Sequence, residues 1–262
     1  MTTTSDLRYK RPMRARSWVL PVLLLSACNT RLCRDPTVWR LAEYTAPRIA
    51  TPPVIDGKLD DAIWDKVPWT TDFWSSMGYS EPSHRTRAKI AWDDTNIYVA
   101  FEVEDNDIVT FDGKTHEPFN HDDDPLYTSE VVEIFLQPNH AGYNELELSP
   151  LNHKFDASFT GRRQGMNLAW DSGMQHAVQV NGTVNASNDA DHGWTAEMAI
   201  PFAQLTATTH VPPQIGERWT FNLFRLDHGL GVGEEGQAFS PVMIGDFHNL
   251  PKYAALVFGG AP

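Results

Sequence analysis

Cysteine is almost missing from this chain, with only Cys28 and Cys33 in 262 residues. Both lie near the N-terminus, so no intramolecular disulfide staples the long body that follows. No apolar run approaches the roughly 20 residues that cross a bilayer as a helix. No Gly-x-Ser-x-Gly, His-Glu-x-x-His or P-loop pattern occurs, and His153, His176 and His248 are not spaced as zinc ligands. Basic residues are in the minority, 21 against 34 acidic, for a net charge of −13. That balance argues against a nucleic-acid partner.

The N-terminus is the exception to the acidic balance. Arg8, Lys10, Arg11, Arg14 and Arg16 precede a short apolar run, Trp18 to Leu25, and then Leu25-Ser26-Ala27-Cys28. A basic segment, a short apolar segment and small residues before a cut site make a secretory signal peptide. The last four residues resemble the lipobox of bacterial lipoproteins, which implies lipidation of Cys28. Residues 1–28 are therefore expected to be a lipoprotein signal peptide. Asn29 follows the cysteine where the lipoprotein family uses Asp for inner-membrane retention, so the resemblance implies a cell-envelope protein anchored in the outer membrane. Without residues 1–28 the chain has 16 basic and 33 acidic residues and a net charge of −17. Cys33 is then a spare thiol in a tether and lead-in over residues 29–47.

Beyond the tether the apolar residues recur with the strand period of two. Ile97, Val99, Phe101 and Val103 form one such series, Trp194, Ala196, Met198 and Ile200 another, and Trp219, Phe221 and Leu223 a third. Val131 to Leu136 is nearly all apolar and reads as a central strand covered on both faces. Asp93 to Asn96, Asn181-Gly182, His192-Gly193 and Gly216 are turn signals. Helix is scarce, with one or two turns expected over Asp60–Lys66, capped by Asp60 or Asp61, and another from Pro201 to Leu205. The expected fold is all-β, an antiparallel β-sandwich of two sheets, jelly-roll or immunoglobulin-like, with one or two short helices, over residues 48–262.

Seven segments in order then carry a family resemblance. They are PVIDGKLDDAIW at 53–64, the hairpin at 88–103 with WDDTNIYV, SEVVEIFL at 129–136, NELELSPLN at 144–152, GWTAEMAIP at 193–201, residues 219–225, and residues 247–258. Together they resemble the family 9 carbohydrate-binding modules over residues 48–259. The resemblance implies a β-sandwich that grips sugar between two aromatic rings, with polar side chains at the hydroxyls and bound calcium. A pyranose offers an apolar C–H face to an aromatic ring and hydroxyls to fixed polar partners. Carried over by position, one platform is Tyr127. The second falls near Phe247 or His248. The family's Asp before the VEIF strand is Glu130 here, a pocket Arg falls at Glu147, and the pocket Asn is Asn152.

The residues themselves leave alternatives open. Tyr127 reads equally as a stacking platform or as strand-edge packing. Glu130, Glu145 and Glu147 are candidate hydrogen-bond partners of a ligand, although acids alternating with Leu more often form a solvated face. Trp170 in a polar loop is either a binding residue or a structural one. Arg225 continues the apolar stripe of Trp219, Phe221 and Leu223, so it must pair or reach a cleft. Its partner is expected to be Glu147 or Glu130 if the role is structural. Asp122, Asp123 and Asp124, after His121, are the densest acidic cluster and the calcium candidates, against the reading of a solvated loop.

The resemblance implies a non-catalytic protein that holds poly- or oligosaccharide at the envelope in support of carbohydrate catabolism. No other cofactor than calcium is expected. A glycoside hydrolase needs a pair of carboxylates but has no motif support here. A b-type haem domain of the same superfamily is the alternative, with Met166, Met174 or Met243 and His153 or His248 as axial ligands. A module associated with a glycoside hydrolase, or an envelope scaffold without a small ligand, completes the field.

Overall fold

The computed structural model describes residues 41–111, 119–229 and 234–262. Residues 1–28, expected to be a signal peptide ending in Cys28, and Asn29 and Cys33 lie outside the described residues.

The alternating segments become two sheets. The smaller holds β3 (Thr86–Trp92), β4 (Asn96–Val103), β9 (Gly193–Pro201) and β8 (Gln175–Asn181), in that order and antiparallel throughout. The larger runs β1 (Glu43–Ala46), β12 (Ala254–Phe258), β10 (Arg218–Asp227), β5 (Val131–Asn139), β6 (Gly142–Leu148) and β7 (Lys154–Phe159). The second half of β10 also pairs with β11 (Glu235–Ala238), which pairs with β2 (Trp74–Ser75). The Asp93 side chain accepts from the backbone N–H groups of Thr95 and Asn96, and so closes the β3–β4 turn.

Two differences from the expected all-antiparallel body stand out. β1 runs parallel to β12, pairing Glu43 with Ala255 and Ala46 with Phe258. The two strands come from opposite ends of the domain, so no hairpin fixes their relative direction. The body therefore begins within the segment expected to be lead-in. The expected helices are 3-10 turns only, Trp64–Lys66 and Phe202–Gln204. Ile63, not Asp60 or Asp61, flanks the first, and no side chain caps it.

The inner faces of the two sheets bury one core, including Val99, Phe101, Ile134, Leu146, Met198, Phe221 and Leu223. Both outer faces are covered as well. On the small sheet, Trp64, Ile49 and Val67 pack over Tyr98 and Ala100. Glu197 of β9 is buried there and ties the covering loop down. It accepts from Trp64 Nε1 at 2.7 Å, Gly57 N at 2.9 Å and Asp56 N at 3.1 Å. Gly57 has φ +84°, and a Cβ on it would stand 2.6 Å from the Val178 carbonyl carbon. Only glycine takes that conformation and that approach without strain. The Ile-Asp-Gly and Trp of residues 55–64 thus serve one buried carboxylate.

On the outer face of the large sheet a second aromatic cluster forms from Phe135, Tyr143, Phe155, Phe159, Phe224 and Tyr253. β5 is buried on both faces, as its composition requires.

Candidate functional site

The candidate site follows from strand parity. In β5 the even residues Val132, Ile134 and Leu136 face the inner core, and the odd residues Val131 and Phe135 face outward. Glu133 is therefore outward, a charge set in an apolar strand. Register extends this into a row across four strands. Phe224 of β10 pairs with Glu133, Glu133 with Glu147 of β6, and Glu147 with Phe155 of β7. Two carboxylates thus sit side by side between two aromatic rings. The neighbouring row adds Glu145, opposite Phe135.

A recess of ≈440 Å³ opens over these rows. Its walls include Tyr127, Phe247, Phe155, Phe159, Arg163 and His248, with Glu133 and Glu145 among the lining carboxylates. Tyr127 lies in the 3-10 turn Leu126–Thr128 just before β5 and is 45% exposed. Its ring meets Phe155 edge-on at 5.4 Å between centroids. Phe247 stacks on Phe224 at 4.2 Å and 8°. One partly exposed ring therefore rests on each end of the aromatic–Glu–Glu–aromatic row.

The polar groups are held firmly. The Tyr143 hydroxyl and His248 Nδ1 share a hydrogen bond of 2.6 Å, and Tyr143 stacks on Phe159 at 4.6 Å. Burial lowers the His248 pKa to about 4, with the nearby charge of Arg163 adding to the effect. Asp246 behaves oppositely. Burial works against its charge, but hydrogen bonds from Arg162, Arg163 and the His248 backbone bring it to about 2. Burial raises Glu145 to about 7. Burial also raises Glu133 and Glu147 well above the carboxylate range, and the repulsion among the three acids adds to it. Burial and the charges of Glu147 and Glu145 push the Tyr127 phenol upward too.

The expected site residues divide by this geometry. Tyr127, Phe247 and His248 line the recess, and Glu147 lies directly beneath it. The reading of Glu145 and Glu147 as a solvated face is corrected, because the Tyr127 turn and the aromatic cluster cover them and both are buried. Glu130 and Arg225 are elsewhere. By parity both face inward, and both are fully buried. Arg225 pairs with Asp105 at 2.6 Å, Asp227 at 3.2 Å and Glu130 at 3.3 Å. Glu130 also accepts from Trp194 Nε1 at 2.8 Å. Burial raises the Glu130 pKa well above its ordinary value despite Arg225. This is an interior ion network, which resolves the alternative for Arg225 as structural.

Asn152, at φ +61°, lies in the turn after β6 and bonds the His176 ring at 3.0 Å. Trp170 packs on the edge of the inner core and donates to the Gln204 carbonyl at 2.9 Å. Neither lines the recess. Asp122, Asp123 and Asp124 do not converge on a metal position. Asp122 accepts from Lys154 N, and Asp124 from the backbone N–H groups of Asn120 and His121. Among the described residues, the groups of three ligand side chains close enough for one ion are His84, Asp105 and Asp227, and Glu133, Glu145 and Glu147. Asp122 and Asp124 serve as loop caps and the three carboxylates are not gathered around one position, so they do not fit the calcium expected there.

Sequence reasoning missed Glu133, Phe155, Phe159 and Arg163. Glu133 left a signal, since a lone acid in a strand apolar on both faces needs a reason. Arg163 left none, as it reaches the recess from the loop after β7.

A family model described as carbohydrate family 9 binding domain-like matches residues 55–239. The chain belongs to this family. Family 9-like domains are non-catalytic carbohydrate-binding modules. A Bacteroides uniformis protein proposed to bind carbohydrate has the same fold, with a TM-score of 0.62 at 13% identity, over 84% of this chain and 100% of that one. A family 9 module from Caldicellulosiruptor kristjanssonii, solved with cellotriose, gives 0.56 at 18% identity over 84% and 95% of the two chains. Its glucose complex gives 0.57 at 18% identity, over 84% and 97%. Exoglucanase XynX of Acetivibrio thermocellus is 29% identical over 68% of this chain, and endo-1,4-beta-xylanase A of Thermoanaerobacterium saccharolyticum 28% over 68%. The chain spans only 14% and 13% of those two proteins.

The haem alternative is not favoured. Met174 is buried in the inner core, His153 faces Asp122, and His248 Nδ1 is committed to Tyr143. Met166 lines the recess as an exposed apolar wall.

Proposed function

We propose that this family 9-like domain holds a poly- or oligosaccharide in the recess between Tyr127 and Phe247, without cleaving it. The observation that carries the reading is the single cross-sheet row, in which two ring platforms flank fixed carboxylates. Rings present apolar area to the C–H faces of a sugar, and buried acids and His248 set the hydroxyl pattern. The cellotriose and glucose complexes of the C. kristjanssonii module, and the glucanase and xylanase names of the relatives, support β-linked glucan or xylan as the first glycans to try.

In the same reading Cys28 is lipidated and carries the domain at the cell envelope, on the outer membrane, where it supports carbohydrate catabolism. The basic N-terminus, its short apolar run and the small residues before Cys28 support that placement.

Affinity electrophoresis against a panel of glucans and xylans tests the binding. The native chain is expected to be retarded and Tyr127→Ala to run free. The variant loses an edge-on ring contact worth about 1 kcal/mol, so its melting temperature changes little. Retardation of Tyr127→Ala equal to that of the native chain removes the recess from the function. In fractionated cells Cys28→Ser is expected to leave the membrane pellet, and its persistence there sinks the anchor.

A further inference from the structure

The floor of the recess has a charge problem that the sugar reading does not solve. Glu133 and Glu147 are directly opposed across β5 and β6, and Glu145 is diagonal to Glu133. Like charges opposite one another destabilise a sheet. All three side chains are buried, Glu147 completely. Glu133 Oε1 has no hydrogen-bond partner among the described residues, and Glu147 has only a loose approach of the Tyr127 N–H and of the Glu145 carboxyl. A buried polar group normally has one, and an orphan needs an explanation. Among the described residues the one Lys or Arg lining the recess is Arg163, and its guanidinium is already engaged by Asp246 at 2.9 Å.

The spacing offers a resolution. One oxygen from each of Glu133, Glu145 and Glu147 lies within 4.8 Å of the other two. Ligand oxygens on a single calcium, bound at about 2.3–2.6 Å, stand no more than about 5 Å apart. The donor set is all carboxylate, the preference of a hard divalent cation rather than of zinc or copper. His248 Nε2 stands 3.9 Å from Glu145 at the edge of this group.

We propose that Glu133, Glu145 and Glu147 bind one calcium ion at the floor of the recess. Three carboxylates leave part of calcium's six to eight oxygen positions open. Those positions face the recess, where water or sugar hydroxyls complete the shell. The assignment shares the recess with the sugar reading but stands on the carboxylates alone.

Calorimetric titration of the chelator-treated full chain with calcium chloride, at mildly alkaline pH, tests it. One ion per chain is expected, with a rise in melting temperature on binding. Glu147→Gln and Glu133→Gln are each expected to weaken binding by about tenfold or more. Both should melt at or above the native temperature in chelator, because an amide relieves the repulsion among three buried acids. Asp122→Asn should bind as the native chain does. Absence of binding at millimolar calcium, or unchanged binding in both Gln variants, overturns the site and leaves shared protons as what holds the acids together. Electrophoresis with and without chelator separates the two claims. Glycan retention without any calcium binding sinks the ion and keeps the sugar, and calcium binding without retention on any glycan does the reverse.

Discussion

Glu197 illustrates how one side chain gives meaning to a motif. It lies on the outer face of the small sheet and receives three N–H groups from the 56–64 loop. Burial raises its pKa, and those three bonds oppose the shift. Glu197→Ala would leave the Trp64 indole and two backbone donors without partners. Unmade buried hydrogen bonds of this kind cost about 1–3 kcal/mol each. A loss of at least about 3 kcal/mol is expected in chemical denaturation, with glycan retention intact below the transition. A variant as stable as the native chain would show that the loop is held by packing alone.

Arg225 makes the complementary point. Its guanidinium is surrounded by three carboxylates with no exposed atom among the four side chains. Removing one member of such a buried group leaves a charge uncompensated. Its position at the end of an apolar stripe had made pairing a requirement, and the geometry supplies it.

At the scale of strands, the recess depends on β11 holding Phe247 in place. Gly236 of β11 pairs with Leu226 of β10, and a Cβ on Gly236 would meet the Phe247 ring at 3.1 Å and Ser76 Oγ at 2.8 Å. The serine can turn aside, but the ring stacks on Phe224 and has to give. Gly236→Ala is therefore expected to weaken glycan binding several-fold with little change in melting temperature. Equal affinity in the two proteins would remove Phe247 from the site.

The strands were legible because each buries a two-residue period on the inner face, and Asp93 to Asn96 announced its turn. The site was only half legible. Tyr127 and Phe247 have the right residue type near the right place, but parity separates Glu130 from Glu133. A shift of one residue moves a side chain to the other face of the sheet. Glu133 lies where the recess is, and Glu130 where Arg225 is. Arg163 lies on a loop between β7 and β8, and no periodicity reports which way a loop turns. The parallel β1–β12 pair was also hidden, since no local pattern records a contact between the two ends of a domain.

For the whole molecule, two shifted groups oppose one another in their effect on stability. Burial raises Glu145 from 4.5 to about 7. Its stabilising contribution is complete below the unfolded value and is lost as pH rises through 7. Burial lowers His248 from 6.5 to about 4. Its contribution is present above 6.5 and is lost as pH falls through 4. Each is worth on the order of 3 kcal/mol, and they cancel over most of the weakly acidic range. Glu133 and Glu147, also raised by burial, add a loss of the same sign as that of Glu145, which begins at their unfolded value and continues to higher pH. In chelator, Glu145→Gln is expected to turn the slope of stability against pH upward between 4.5 and 6.5 relative to the native chain. His248→Gln should make it fall from 4.5 to 7. Denaturant midpoints measured across that range check both, and parallel profiles for all three proteins would refute the pairing.

The parallel seating of β1 against β12 has a mechanical consequence. Tension applied at the N-terminal end of β1 pulls along the strand, so the bonds to β12 share the load as a lap joint does. A hairpin edge drawn from its open end would instead peel one bond at a time. Trp92 Nε1 reinforces the joint by donating to both the Ala46 and Gly259 carbonyls at 3.1 Å. A body held by its leading end against a drifting polymer would resist being drawn open at the edge where the strain arrives.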